Sequence, residues 1–350
     1  MNFIQFGELR TEHLCIFLLF FAYIFTALFN KSFPNFSNDP FVDYFSLFLG
    51  ELYCGIFIPI IKYLNKSEIS LTNNSNSLEE NKKNDNIYQN NIIYSTFIFN
   101  KEEYKEINSL FNMIIICLIT FIDFLDNCMS LYLNYDDALN QEIDIVFILI
   151  ILVLSFFILD MKIYKHHKLI IILIIILSFI INYIQFLNKG KQKIGINNFI
   201  TSIQLIIHNF LTAFSFVISK FLMDNNHCSP FKILFFSGIF GIIYILFFSL
   251  FYHSIIDDNN RNFYESIFEN VIYEHFMNFF FWNINYFILY LFTFITIKVL
   301  QPTNIILAFV SAKPIVKLIN SFMDSGGFGL YDIIIYILYF IFIFCCLIFQ

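Results

Sequence analysis

The sequence predicts an all-α membrane protein of ten transmembrane helices, arranged as two inverted repeats of five. Of the 350 residues, 58% are hydrophobic and only 13% are charged, whereas soluble domains are about 45–50% apolar and about 25% charged. Apolar runs such as IDIVFILIILVLSFFIL recur along the chain without alternating, which favours membrane helices over β-barrel strands. Because each half holds an odd number of spans, the second half would cross the membrane in the opposite orientation.

Ten apolar runs define the predicted spans. Their approximate bounds are 13–30, 43–64, 109–133, 143–163, 168–188, 197–222, 231–253, 276–298, 304–323 and 330–349. The two repeats are then residues 1–193 and 194–350. The first repeat includes a polar segment at about 65–108, whose core NKSEISLTNNSNSLEENKKNDN has almost no bulky apolar residues, so we expect a disordered cytosolic loop.

The ninth span carries a polar stripe with two lysines. Lys313, Lys317, Asn320 and Asp324 are four, three and four residues apart, which places them on one face of a helix. A charge at the centre of a membrane helix costs about 2.5–3.5 kcal/mol on insertion scales, so such a face usually meets other helices or a water-filled pathway. We predict that the stripe lines a solute cavity and that the lysines bind an anionic group. The alternative is a buried ion pair with a carboxylate of another span.

The third span carries a second polar stripe. Asp123, Asn127, Ser130 and Asn134 follow the same spacing, and Asp126 lies beside them in the sequence. Two carboxylates in one apolar run are costly unless they are paired, hydrated or protonated. They predict a substrate or proton site. The alternatives are a structural pair with a lysine, or a span that ends closer to the membrane surface.

Polar residues also occur in the second, sixth and eighth spans. Glu51 lies within the apolar run of the second span, and Asn283 and Asn285 lie in the eighth. The stripe of the sixth span consists of Thr201, Gln204, His208, Thr212, Ser215 and Ser219. His208 could change its charge near neutral pH, whereas the hydroxyl groups could either line the cavity or simply pack helices. We assign Glu51, His208 and Thr212 to the predicted cavity.

Signatures of other protein classes are missing from the sequence. It contains no GxSxG, HExxH, P-loop or GxGxxG motif, and its seven cysteines form no CxxC pair or zinc-spaced cluster. The net charge of −7 provides no basic surface for nucleic acid. We therefore expect no catalytic residue, no metal, no cofactor and no nucleic-acid partner. The expected partners are a small-molecule solute and the lipid bilayer, and a homodimer stays open.

Several stretches resemble the drug/metabolite transporter superfamily, and within it the F branch of the solute carrier 35 family. They are FSLFLGELYCGIFIPIIKYL, FIDFLDNCMSLYLN, SIQLIIHNFLTAFSFVISKFLMDNNHCSPFKILFFSGIFGII and the ninth span with Lys313. The resemblance implies an EamA-like fold of two inverted five-helix repeats, a central cavity and alternating access. The chain departs from the family pattern at Lys313-Pro314, where a Lys-Arg pair or a lone Arg is more usual, and in a fourth span without a basic residue.

The function implied by this resemblance is transport of a small polar, anionic metabolite, of the nucleotide-sugar or a related class. The expected membrane is an endomembrane, such as that of the Golgi, an endosome, a lysosome or a vacuole. Two alternatives stay open: a multi-pass membrane scaffold or trafficking protein that does not transport, and a drug or peptide transporter of the chloroquine-resistance type.

The distribution of basic residues predicts that both termini are cytosolic. With a cytosolic N-terminus, 13 lysines and arginines fall on the cytosolic side and 5 on the other, and the two lysines of the ninth span complete the 20; cytosolic loops are enriched in such residues. A tag at either end should therefore be digested by protease added to sealed vesicles with the cytosolic face outward. Protection of either tag would contradict this topology.

Overall fold

The computed structural model describes a part of the chain that is almost entirely helical. The described residues are 11–32, 40–56, 58–59, 109–132, 139–160, 196–256 and 276–300, together with 172, 176, 180, 302, 305, 308, 312, 315, 316, 319 and 337. No strand occurs among them. The predicted loop at 65–108, the predicted boundary at residue 193 and both termini lie outside these residues.

Seven helices correspond to seven of the predicted spans. They are α1 (Thr11–Ser32), α2 (Pro40–Tyr53), α3 (Ser109–Tyr132), α4 (Leu139–Ile158), α5 (Ile196–Asn225), α6 (Pro230–Ile256) and α7 (Phe276–Val299). A short 3₁₀ turn, Cys54–Ile56, continues α2. The predicted ninth span is represented by single helical residues, of which Ile305, Ala308 and Ala312 are fully buried.

Four of these helices contain stretches that are long and apolar enough to cross a membrane. The stretches are Ser109–Cys128, Ile206–Asn225, Pro230–Leu250 and Phe276–Val299. Shorter apolar helical stretches occur at Leu14–Phe29, Tyr44–Ile56 and Leu149–Ile158. This composition is consistent with an integral membrane protein.

The two sides of α1 differ as expected for a helix between lipid and protein. Phe17, Phe21 and Phe25 are four residues apart and each is about half exposed. The buried residues of the helix are Cys15, Leu19, Ala22 and Thr26. In a bilayer, the exposed phenylalanines would lie against acyl chains, because they form a contiguous apolar stripe along the helix.

A tight connection joins α5 to α6. His227 has a left-handed backbone conformation (φ 53°), and the Cys228 N–H donates to the Leu222 carbonyl at 3.0 Å. This bond satisfies one of the carbonyls that a helix end leaves without a partner. Ser229 caps the start of α6 through its carbonyl, and Pro230 stands at the first helical position, where its missing N–H costs nothing. Only this short turn therefore separates the end of α5 from the start of α6.

The main contacts of the first four helices are with the last three. α2 packs on α6 and α7, α3 packs on α5 and α6, α1 packs on α7, and α4 packs on α5. α7 also contacts α5 and α6 to a lesser extent. The described core is therefore built between the N-terminal and C-terminal halves of the chain.

Two glycines allow α2 to approach its neighbours backbone to backbone. A Cβ atom on Gly238 of α6 would lie 2.6 Å from the Leu52 nitrogen and 2.7 Å from the Phe48 carbonyl oxygen. A Cβ atom on Gly50 of α2 would lie 2.9 Å from the Phe287 nitrogen of α7. Real Cβ atoms do not come this close to backbone, so any side chain at either position would push α2 away from its partner helix.

Two lysines connect the C-terminal ends of α5 and α7. Lys220 Nζ donates to the carbonyl of Lys298 at 3.0 Å, and Lys298 Nζ donates to the carbonyl of Met223 at 3.1 Å. Lys220 also forms an ion pair with Asp224 at 3.2 Å. Each ammonium group thus reaches a carbonyl at the end of the other helix, where the helix dipole favours a positive charge.

Removing either ammonium group should loosen this connection. We expect Lys298→Met to lower the free energy of unfolding by about 1–2 kcal/mol, because a charged hydrogen bond at a helix end is lost while the apolar stem is kept. The double variant with Lys220→Met should lose less than the sum of the two single variants. Unfolding in mixed micelles would measure these values, and strict additivity would show that the two lysines act independently.

Candidate functional site

Ionisable side chains from four helices meet inside the described bundle. They are Glu51 of α2, Asp123 and Asp126 of α3, His208 of α5 and Tyr290 of α7, which we refer to as the acidic cluster. Glu51 is only 4% exposed and Asp126 only 7% exposed. Asp123 lies close to Glu51, and all three carboxyl groups lie close to Tyr290. Their proximity is unusual, because ionisable groups are rare and costly in membrane helices.

The shortest contact in the cluster links α3 to α5. His208 Nδ1 lies 2.6 Å from Asp126 Oδ1, and the hydroxyl group of Thr212 donates to Asp126 Oδ2 at 2.9 Å. His208 and Thr212 are one helical turn apart, so both reach the same carboxylate. The His208 side chain is 30% exposed and that of Asp126 only 10%. The imidazole therefore lies between the buried carboxylate and a more accessible surface.

Asp123 makes a separate contact with α5. Ser215 Oγ donates to Asp123 Oδ2 at 3.1 Å. The backbone carbonyl of Asp123 accepts a hydrogen bond from the side-chain amide of Asn127 at 2.8 Å, and the hydroxyl group of Tyr44 donates to the Asn127 carbonyl at 2.6 Å. The two carboxylates of α3 thus face the same helix through different partners.

Glu51 differs from both aspartates in its hydrogen bonding. The side chain of Ser237 of α6 hydrogen-bonds the Glu51 carboxyl group, and Ser237 is in turn linked to Thr120 of α3 at 3.0 Å. Among the described residues, none donates a hydrogen bond to Glu51 Oε2. A buried polar atom without a partner costs free energy.

Neutral hydrogen bonds surround the cluster on the α7 side. Ser46 Oγ donates to Asn283 Oδ1 at 2.9 Å, and Thr26 Oγ1 donates to Asn285 Oδ1 at 3.0 Å. The Asn283 amide also donates to the carbonyl of Phe279 at 2.8 Å. These bonds join α7 to α2 and α1, as small polar residues commonly do between membrane helices.

The predicted cavity residues whose side chains the structure describes differ in their relation to the acidic cluster. Glu51, Asp123 and His208 belong to the acidic cluster, and Thr212 contacts it through Asp126. Asn127 instead donates to the backbone of its own helix.

The remaining predicted residues lie outside the part that the structure describes. Ser130 belongs to α3, but its side chain is not among the described ones. Lys313, Lys317 and Asn320 are all outside the described residues. The lysine stripe of the ninth span therefore stays a prediction.

Two members of the site were not predicted from the sequence. Tyr290 is one of 20 tyrosines, and Ser237 is a single hydroxyl in an apolar run, so neither residue type stood out. A signal for Tyr290 does exist. Asn283, Tyr286 and Tyr290 are three and four residues apart, which places them on one face of α7.

Comparison with known proteins adds no assignment. No protein-family model matches the chain, and no curated protein matches it. Within the described helices, the cluster does not form a group of three or more His, Cys, Asp or Glu side chains that could hold a metal ion. The function therefore has to be argued from the arrangement of the cluster.

The different surroundings of Asp126 and Glu51 predict opposite responses to neutral substitutions. Asp126→Asn should lower the free energy of unfolding by about 1–3 kcal/mol, because an amide can accept at only one of the two positions that now hold donors. Glu51→Gln should not lower it, because Oε2 has no donor to lose among the described residues. Unfolding of both variants in mixed micelles tests this, and a loss at Glu51→Gln as large as at Asp126→Asn would contradict it.

Proposed function

We propose that the chain is a multi-pass membrane transporter that moves a small polar, anionic metabolite across an endomembrane by alternating access. The observation that carries the proposal is the acidic cluster, because its side chains come from four different helices. Ionisable residues inside a membrane bundle usually mark a substrate or ion pathway. A scaffold needs no such cluster, since neutral pairs such as Ser46 with Asn283 suffice to hold helices together.

The packing of the helices supports an arrangement of two inverted five-span repeats. In such an arrangement α1, α2 and α3 would be equivalent to α5, α6 and α7. If each helix is replaced by its equivalent, the α3–α5 contact corresponds to the α7–α1 contact, and the α3–α6 contact corresponds to the α7–α2 contact. The α2–α6 contact corresponds to itself. All of these are main contacts of the bundle. The lesser contacts of α7 with α5 and α6 have no counterpart of similar size. In transporters built from inverted repeats, the solute binds where the repeats meet.

The charge of the solute depends on residues beyond the described helices. The acidic cluster by itself would repel an anion. An anionic solute therefore requires the predicted lysines, Lys313 and Lys317, to face the cluster. In that arrangement an ammonium group would pair with a carboxylate when the cavity is empty and with the solute when it is occupied. The resemblance to the solute carrier 35 family favours this reading.

A second candidate is favoured by the acidic cluster alone. If the lysines lie elsewhere, the site carries negative charge and would bind a cationic or basic solute. That is the expectation for a drug or peptide transporter of the chloroquine-resistance type. The sign of the solute's charge distinguishes the two candidates.

Uptake into proteoliposomes tests both. The purified protein is reconstituted and offered nucleotide sugars, sugar phosphates, amino acids and small peptides, and we expect time-dependent uptake of an anionic compound. Lys313→Ala should reduce this uptake at least tenfold without loss of stability, and Lys313→Arg should restore it only in part, because the planar guanidinium needs more room. Lys232→Ala is the matched control, because Lys232 lies over the Phe236 ring near the start of α6.

The same variants separate binding from a purely structural role. If Lys313 is only a counter-ion, Lys313→Ala should lower stability by about 3–5 kcal/mol, because a buried carboxylate loses its partner. Neutralising that carboxylate as well should then restore stability. Uptake of cations in place of anions would favour the second candidate, and a protein that takes up nothing from the panel would count against transport.

A further inference from the structure

The acidic cluster holds more acidic than basic groups. Asp123 lies close to Glu51, and Asp126 lies close to Asp123, so these carboxyl groups are neighbours of one another in the described part. The basic partner present there is the imidazole of His208. Full ionisation would leave several unbalanced charges in an apolar bundle, at a cost of about 2.5–3.5 kcal/mol each on insertion scales. Protons held by the cluster lower this cost, as would the predicted Lys313 and Lys317 if they face it.

The lysines whose side chains the structure describes bind elsewhere. Lys220 contacts the Lys298 carbonyl and Asp224, Lys298 contacts the Met223 carbonyl, and Lys232 lies 5.9 Å from the centroid of a phenyl ring. Among the described residues, the further titratable groups close to the three carboxyls and His208 are Cys54, next to Glu51, and the phenols of Tyr286 and Tyr290. Neither a thiol nor a phenol supplies a positive charge.

The contact between Asp126 and His208 determines which nitrogen exchanges protons. Both oxygens of the Asp126 carboxyl group have a partner: Oδ1 faces His208 Nδ1, and Oδ2 accepts from the hydroxyl group of Thr212. When Asp126 is ionised its oxygens can only accept, so Nδ1–H donates to Oδ1. The proton that changes the charge of the imidazole is then carried by Nε2. Asp126 stabilises the resulting imidazolium, because the pair becomes neutral as a whole.

This contact also joins the two halves of the chain. Asp126 lies in α3, in the first predicted repeat, and His208 lies in α5, in the second. A hydrogen bond between two charged groups is about twice as strong as one between neutral groups. Protonation therefore strengthens the α3–α5 contact, and loss of the proton weakens it. The proton therefore acts as a ligand: if it binds more tightly to one conformation of the protein, it shifts the population toward that conformation.

We propose that Asp126 and His208 form a proton-binding site that couples the transporter to a pH gradient. His208 Nε2 takes up one proton from water on one side of the membrane, forming an N–H bond, and the pair changes from a charge of −1 to zero. After the halves rearrange, that N–H bond breaks and the proton returns to water on the other side. No electrons move, and no other reactant is needed. The coupling role rests on the proposed transport function, whereas proton binding can be measured without a solute.

Charge movement after a pH step tests the site. Proteoliposomes on a solid-supported membrane are switched from pH 8 to pH 6 with no solute present, and proton binding inside the protein should give a transient current. His208→Asn should reduce the transient charge at least fivefold, because the Asn amide keeps a donor at the Nδ1 position but has no titratable nitrogen. His227→Asn is the matched control: the substitution is the same, and His227 is exposed in the turn after α5.

A second variant keeps the test decisive if His208→Asn does not fold. Asp126→Asn removes the carboxylate that pairs with the imidazolium, so the transient charge in the same pH step should fall at least twofold. A wild-type protein without a transient, or a transient unchanged in both variants, overturns the proton site. Solute uptake together with absent pH-step currents would leave transport standing without this site. Currents without uptake would support the site and count against the proposed transport.

Discussion

The structure depends on hydrogen bonds between polar side chains of different helices inside the bundle. An apolar surrounding offers no water, so an unsatisfied group costs more there than at a protein surface. In the described core, several of the bonds between two side chains connect the two halves of the chain. They include Thr26–Asn285, Ser46–Asn283, Thr120–Ser237, Asp123–Ser215 and Asp126–His208. Because each bond joins an N-terminal helix to a C-terminal one, the set determines both which helices are neighbours and how they are registered along their axes.

Close packing makes these short bonds possible. Serine and threonine have short side chains, so the helices that carry them must approach within contact distance. Gly50 and Gly238 allow this approach for α2, which lies against both α6 and α7. As a result Glu51, which directly follows Gly50, is buried between them. Steric and polar complementarity thus act together at this helix.

The centre and the ends of the bundle are stabilised in different ways. At the ends of α5 and α7, Lys220 and Lys298 bind backbone carbonyls, which need no particular partner side chain. At the centre, the acidic cluster combines groups of the same charge and leaves Glu51 Oε2 without a donor among the described residues. Natural proteins usually accept such local inconsistency at functional sites, where the cost is offset elsewhere in the fold. This contrast supports the proposal that the function lies at the centre.

The sequence alone determined the features that follow from the pattern of residues within each segment. Hydrophobicity and its period identified a helical membrane protein and the approximate positions of the seven described helices, and spacing identified stripes containing Asp123 and His208. These features survive in any packing, because insertion into an apolar phase and helical periodicity are properties of each segment by itself.

Only the tertiary structure decided how the segments are paired. It showed that Asp126, adjacent to the predicted stripe, is the carboxylate that meets His208, whereas Asn127 within that stripe bonds to its own helix. It also brought Tyr290 to the carboxylates, although the tyrosine is more than 160 residues away from Asp126 in the chain. A polar stripe predicts which residues share one face of a helix. It does not predict how the neighbouring helices are rotated about their axes or how deep they lie, because these depend on the packing of all the helices together.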